Sequence, residues 1–256
     1  MTNCGDLAVT AGNIAILEIQ RPPNNFFDTP LIQALADALD RLAEDGECRV
    51  AVLCSAGKHF CAGADFTGGQ RQPSVQTQGP HLYDVAIRLF EQPLPVVAAV
   101  QGAAIGGGLG LALAADFRVA CPEARFSANF ARLGFHQGFG LSVTLPAAIG
   151  QQRALEMLYT GKRIDGEEAA RIGLCDRLVP LGEVRSAAVR LAGEIAASAP
   201  LAVRSIRATM RFPQASLVRA ALEREKTEQE RLRATADWLE GVRASGERRE
   251  PVFSGR

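Results

Sequence analysis

Apolar and polar residues alternate over Leu7–Thr10 and again over Ile14–Ile19, separated by Ala11, Gly12 and Asn13, the pattern of a short hairpin with one buried face. Arg21, Pro22 and Pro23 end the second run. From Thr29 the period changes. With Pro30 at the first helical position, Leu31, Leu35, Leu39 and Leu42 mark one face of a helix ending near Gly46. Val50–Cys54 then reads as a short buried strand, Leu82, Val85, Ala86 and Leu89 as a second helix face, and Val96–Val100 as another buried strand. Leu109–Ala115 predicts a helix and Phe117–Cys121 a strand. This alternation favours an α/β fold with crossover connections. Thr67–Gly79, with three glycines, four glutamines and a proline, predicts a mobile loop beside the site. From Leu141 onward strands nearly vanish. Helical patterns run through Leu141–Ile149, Ala154–Tyr159, Glu167–Ile172 behind a capping box at Asp165, Val184–Ala197, Leu201–Thr209 and Ser216–Leu239. The last either packs on another subunit or lies on a solvated surface.

A length of 256 residues, 47% of them hydrophobic, supports one large domain, alone or with a small appendage. The 28 basic and 28 acidic side chains balance, so charge makes no case for a nucleic-acid or acidic-surface partner. No apolar run approaches the roughly 20 residues of a membrane span. The segment Met1–Asp6 lacks the basic-then-apolar layout of a signal peptide. Cys4, Cys48, Cys54, Cys61, Cys121 and Cys175 are scattered without a CxxC pair, which favours small buried thiols in a reducing compartment. A soluble, cytoplasmic protein is expected.

The most informative stretch is Pro93–Gly110. A β-branched run reaches Gly102, and then Gly106, Gly107 and Gly108 lead into an Ala/Leu-rich helix. Bare backbone N–H groups at a helix N-terminus offer donors and a positive dipole end to negative charge, whether bound or developing in a reaction. A second glycine-centred turn, Gly57 to Phe66, follows the strand Val50–Cys54. Close packing of helix on strand explains either turn alone equally well. If the two strands are parallel neighbours, both turns reach one sheet edge, where two N–H groups can hold one carbonyl oxygen as it becomes an oxyanion. A dinucleotide fingerprint fits less well, because Asp116 arrives before its strand. A P-loop needs a lysine after the glycines, and none follows.

The pairing of Phe60-Cys-Ala-Gly-Ala-Asp65 with Ala99 to Gly108, and then Ala115-Asp-Phe-Arg-Val-Ala120, resembles the crotonase (enoyl-CoA hydratase/isomerase) superfamily. Leu145 to Gly150, Tyr159-Thr-Gly161, Ala169 to Leu174 and Leu178-Val-Pro180 extend the resemblance over nearly the whole chain. It implies an α/β spiral of ββα turns with a C-terminal helical trimerisation region, often a hexamer of two trimers. Residues 1–198 become an acyl-CoA-binding core and 199–256 an oligomerisation region. The implied ligand is an acyl-CoA thioester, coenzyme A entering as part of the substrate and no separate cofactor being expected. Ala64 and Gly107 supply the oxyanion-hole N–H groups, with Ala62, Asp65, Phe66, Gly106, Phe130 and Gln137 around the substrate and Lys58 and His59 near the CoA moiety.

One part of the family pattern is missing. The two glutamates that activate water in the family's hydratases align with Gly110 and Phe130, and a third carboxylate position aligns with Gly138. Glycine and phenylalanine neither position water nor move a proton. His136 is then the candidate acid or base, against the alternative of a loop histidine in structural hydrogen bonds. Asp65 is expected to fix its turn, Asp116 to cap backbone groups at a helix-to-strand corner, and His81 to be an exposed side chain. Three isolated histidines and no paired cysteines leave no metal-ligand spacing. The expected function is an enzyme of the hydratase/isomerase superfamily, a lyase or isomerase working through an enolate. The alternatives are an acyl-CoA decarboxylase or C–C lyase of the same family, or a catalytically silent CoA-thioester-binding oligomer.

Overall fold

The computed structural model describes residues 2–65 and 80–256. Three antiparallel strands, β1 (Thr2–Cys4), β2 (Leu7–Thr10) and β3 (Ile14–Ile19), open the chain. Helix α1 (Thr29–Asp45) starts where the Asp28 carboxylate accepts the Leu31 N–H at 3.0 Å, and stops at Gly46, whose φ of 75° favours glycine. Strand β4 (Val50–Ser55), helix α2 (Leu82–Glu91) and strand β5 (Val96–Val100) follow. Every residue of β4 and β5 is buried, so these strands read as continuous apolar runs rather than alternating ones.

After β5 the chain leaves the sheet at Gly102. Its φ is 62°, and a Cβ there would overlap the Lys58 carbonyl. Strand β6 (Ala103–Ile105), helix α3 (Gly107–Ala114), β7 (Phe117–Ala120) and β8 (Arg125–Ser127) come next. Beyond them lie α4 (Leu141–Ile149), α5 (Gln151–Thr160), β9 (Arg163–Asp165), α6 (Gly166–Arg171), β10 (Arg177–Leu178) and α7 (Val184–Ala196), then α8 (Pro200–Arg233) and α9 (Ala236–Glu247). The main sheet has the order β1-β2-β3-β4-β5-β7-β10, parallel from β3 onward, and a second sheet has the order β6-β8-β9. Leucines of α1 and α2 (Leu35, Leu39, Leu89) share one buried core with Leu17, Leu53 and Val96 of the main sheet.

The expected α/β architecture is observed, with differences in detail. Strands β6, β8, β9 and β10 hold two or three residues each and carry no readable alternation. Their pairing comes from the spiral, which lays β6 beside β8. The two helices expected at 201–209 and 216–239 are instead one helix, α8, running through Pro213, and α9 begins separately where Thr235 Oγ1 accepts the Trp238 N–H at 3.2 Å. Cys48, Cys54, Cys61, Cys121 and Cys175 are free and buried. Burial pushes the Cys54 and Cys61 thiols up to about 12 and Cys175 to about 11, so they behave as small apolar residues. Among the described residues no helix is long and apolar enough to cross a membrane, and no group of three or more His, Cys, Asp or Glu is arranged to hold a metal ion.

Candidate active site

Strands β4 and β5 are adjacent and parallel, with Ala51 opposite Val96 and Leu53 opposite Ala98. Their following turns therefore emerge at the same edge. The first runs beside β6 as an extra strand: Cys61 N–H donates to Ala103 O (2.9 Å) and Ile105 N–H to Cys61 O (3.0 Å). Phe27 N–H donates to Gly63 O (3.0 Å), which pins the other side of the turn. Contact between the two turns is made by glycines. A Cβ on Gly63 would lie 2.9 Å from Ile105 O and 3.5 Å from Gly107 N, and one on Gly108 would overlap the Cys61 carbonyl. A Cβ on Gly107 would strike the Phe27 ring. Among the described residues no hydrogen bond uses the N–H of Ala64 or Gly107. Gly107 is the first residue of α3, where the helix leaves its N–H groups unsatisfied and its dipole is positive.

Both turns open on one cavity with about 150 Å³ available to the centres of water molecules, some ten times the room a single water needs. Ala62, Ala64, Asp65, Gly106, Gly107 and Phe130 line it. Phe66 and the loop expected at Thr67–Gly79 fall outside the described residues. Four other expected residues do not line the cavity. His136 holds Nδ1 2.8 Å from Gln137 O, and its own carbonyl accepts from Gln229 Nε2 at 3.0 Å. Gln137 Nε2 donates to Ser142 Oγ at 3.1 Å. His59 Nδ1 accepts the Ala103 N–H at 3.1 Å, and Lys58 packs its carbonyl under Gly102. Burial and then Lys58 push the His59 imidazole down, which keeps it neutral as a backbone acceptor.

The cavity instead receives His81, Tyr83, Gln229 and Arg233. His81 is not the exposed side chain expected of it. It caps α2, accepting the Tyr83 N–H on Nδ1 (3.1 Å) while Asp84 accepts the His81 N–H, and burial, then Lys226, push its imidazole down. The His-x-x-Asp spacing before an apolar helix was the only signal for it. Tyr83 sits on the buried face of α2 and reads in sequence as core. Its hydroxyl donates to Gln229 Oε1 at 2.9 Å, and burial, then Glu225, push the phenol up, so it keeps its proton. Gln229 and Arg233 lie almost 150 residues downstream and have no local signature.

These contacts also explain the three positions without carboxylates. A Cβ on Gly110 would lie 2.6 Å from Phe139 Cβ and 2.9 Å from its carbonyl, because α3 packs directly on that turn. Phe130 fills its place as a cavity wall. The space beside Gly138 is held by the Tyr83 hydroxyl. Glu225 of α8, fully buried, accepts the N–H groups of Gly140 (2.9 Å) and Ser142 (3.1 Å) and so fixes this turn; burial pushes its carboxyl up, opposed by those bonds. Asp116 caps the Val96 N–H (2.8 Å), as expected, and also pairs with Arg207 (2.9 Å) and Arg211 (3.3 Å) of α8.

A family model described as enoyl-CoA hydratase/isomerase matches residues 10–256. The chain belongs to that family. Among curated relatives, carnitinyl-CoA dehydratase of Salmonella agona (strain SL483) is 34% identical over 251 residues, covering 96% of each chain. An enoyl-CoA hydratase/isomerase structure from Pseudoalteromonas atlantica T6c superposes with TM-score 0.89 at 31% identity, covering 98% of this chain and 100% of that one. An enoyl-CoA hydratase structure from Mycobacterium avium subsp. paratuberculosis K-10 gives TM-score 0.86 at 28% identity over 98% and 99%. This member of the crotonase superfamily is thus an enzyme of CoA thioesters.

Proposed function

We propose that the enzyme grips its acyl-CoA thioester by the carbonyl oxygen, between the N–H groups of Ala64 and Gly107, and works through the enolate this stabilises. The observation that carries the reading is the abutment of the two turns at one cavity, with both N–H groups unengaged among the described residues. A donor of this kind is worth about 3 kcal/mol in the transition state. With Gly110 and Phe130 in place of carboxylates, water has no paired glutamates to activate it. The reaction is therefore assigned to lyase or isomerase chemistry that needs chiefly a stabilised enolate: decarboxylation, C–C cleavage or double-bond movement. His81 is the imidazole at the cavity; to take the α-proton on Nε2 it must hold its own proton on Nδ1, which means releasing the Tyr83 N–H that Nδ1 accepts in this structure. The identity to carnitinyl-CoA dehydratase favours a second reading, addition or loss of water.

Incubation with crotonyl-CoA, malonyl-type and β-hydroxyacyl thioesters separates these readings by product. Exchange of the α-proton in deuterated water, followed by mass spectrometry on a saturated acyl-CoA, tests the enolate directly. Exchange is expected, and it should fall in His81→Gln. Exchange lost in His136→Ala but kept in His81→Gln returns the role to His136. Binding without exchange or turnover makes the chain a silent CoA-thioester binder and sinks the enolate proposal. We assign self-association to the outer side of α8, where Ile206, Met210 and Leu217 share one exposed face.

A further inference from the structure

The two oxyanion turns are joined through a side chain that does no chemistry of its own. Residues 24–27 run beside the first turn and are fastened to it at four points. Ala62 N–H donates to Asn24 O (2.9 Å), Asn25 Nδ2 donates to the carbonyls of Ala56 (2.8 Å) and His59 (2.6 Å), and Phe27 N–H donates to Gly63 O (3.0 Å). Asn25 is fully buried at a left-handed φ of 48°, a conformation that asparagine tolerates better than most residues. Phe27 is thereby a rigid extension of the first turn.

Its backbone also sets the direction of the first donor. Phe27 and Ala64 form an isolated parallel bridge. In such a bridge one residue aims its N–H and C=O at the partner chain, while the residue opposite turns its own pair away. Phe27 is the one that bonds across, so the Ala64 N–H turns to the far side. The Phe27 ring, meanwhile, reaches the second turn. A Cβ on Gly107 would lie 2.4 Å from Phe27 Cζ and 2.9 Å from its Cε1, so the ring edge stands against the backbone that carries the second donor. Phe139 backs this ring, with centroids 5.2 Å apart. Phe139 in turn abuts Gly110, three residues beyond Gly107, and is held there at a φ of 59° that bulky side chains rarely adopt. The two rings brace the first turn of α3 at both glycines.

We propose that Phe27 is the positioning residue of the oxyanion hole, its main chain aiming the Ala64 N–H and its ring fixing where Gly107 stands. One residue thus sets the spacing of both donors. The inference rests on the thioester placement proposed above. The carbonyl oxygen gains most of its charge only as the enolate forms, so a displaced donor costs turnover more than binding.

The test follows butyryl-CoA labelled with carbon-13 at the thioester carbonyl, by infrared difference spectroscopy and by α-proton exchange into deuterated water. On the wild type the carbonyl stretch is expected to move to lower frequency. In Phe27→Leu, which lacks the Cε and Cζ atoms facing Gly107, it should return toward the free value, and kcat for exchange should fall about ten- to a hundredfold with KM little changed. Phe90→Leu is the control: Phe90 is also buried and neighbours Phe139, with centroids 6.3 Å apart, but lies outside the cavity, so both readings should stay at the wild-type value. Gly107→Ala should lose exchange by striking the ring, and adding Phe27→Leu should recover part of it, the new methyl group taking the space the ring leaves. Where Phe27→Leu melts too low to assay, Phe27→Met replaces it with the same expectations. A wild-type frequency and rate in the Phe27 variant overturns the inference. So does an equal loss in Phe90→Leu, the mark of a generally softened core, or a double variant no better than Gly107→Ala. If the carbonyl keeps its free frequency on the wild type itself, the thioester placement fails and the inference with it.

Discussion

Gly110 states the site's departure from hydration in a single missing Cβ. The Cβ of a hydratase-like glutamate installed there meets Phe139 Cβ at 2.6 Å and its carbonyl oxygen at 2.9 Å, atoms at or on the backbone that cannot swing away. Gly110→Glu is expected to gain no crotonyl-CoA hydration and to destabilise the fold by about 1–3 kcal/mol or more, read by thermal melting alongside a hydration assay. A variant that melts like the wild type and hydrates crotonyl-CoA would refute the packing account. Tyr83→Phe leaves Gln229 Oε1 without its donor in a buried place, at a cost of about 1–3 kcal/mol in denaturant unfolding. At this scale the sequence was half legible. Glycine and alanine turns announce themselves, because only bare backbone permits their close approach. A histidine and a tyrosine at the start of α2 and an arginine at the end of α8 do not, because nothing local distinguishes a cavity wall from a core face or a solvated helix end.

Among the elements, α8 shows how a surface-looking helix becomes part of the core. From Ala215 onward its buried positions Ala215, Val218, Leu222, Glu225 and Gln229 recur every three or four residues, yet two of these five are polar. Each is matched to a partner: Glu225 to the N-terminal amides of α4, Gln229 to Tyr83 and His136. Farther back, Arg207 and Arg211 clamp Asp116, and Arg207 also reaches the Gln92 carbonyl. Asp116→Ala strands two guanidiniums and the Val96 amide, so a loss of about 3–5 kcal/mol is expected in urea unfolding. A loss below about 1 kcal/mol, the size of an exposed pair, would show the clamp to be solvated. The long apolar-faced helices were readable from their period. The two- and three-residue strands were not, since tertiary pairing alone makes them strands. The patterns read as two helices, 201–209 and 216–239, are joined through Pro213 because the helix docks on both sides of it.

For the whole molecule, the C-terminal segment is held to α9 by charge. Asp237 accepts the Ser254 (2.6 Å) and Gly255 (2.9 Å) amides, and Glu240 accepts the Val252 amide (2.9 Å) and pairs with Arg249. Arg249, then the Val252 amide, hold the Glu240 carboxyl down at about 2. A depressed carboxyl contributes stability above its ordinary range and loses it as pH falls through the lowered value, so the tail should stay docked at neutral pH and release between the ordinary glutamate range and about 2. Amide exchange at Val252 and Ser254 reads this. Free exchange at neutral pH would refute the docking. On the proposed self-association face, the exposed Ile206, Met210 and Leu217 should make assembly sensitive to charge. Met210→Glu is expected to shift the size-exclusion and light-scattering mass toward the single chain, and a mass that stays put argues against this face.

Helix α8 has 34 residues, about 50 Å of unbroken rod. Its first half carries the bare outward hydrophobics and the grip on Asp116, while its far end supplies the floor on which an acyl tail would rest. A stiff lever of that length transmits tilt. Under the self-association proposed for that half, dilution should therefore loosen ligand grip at the second, so affinity and mass ought to decline over the same protein concentrations.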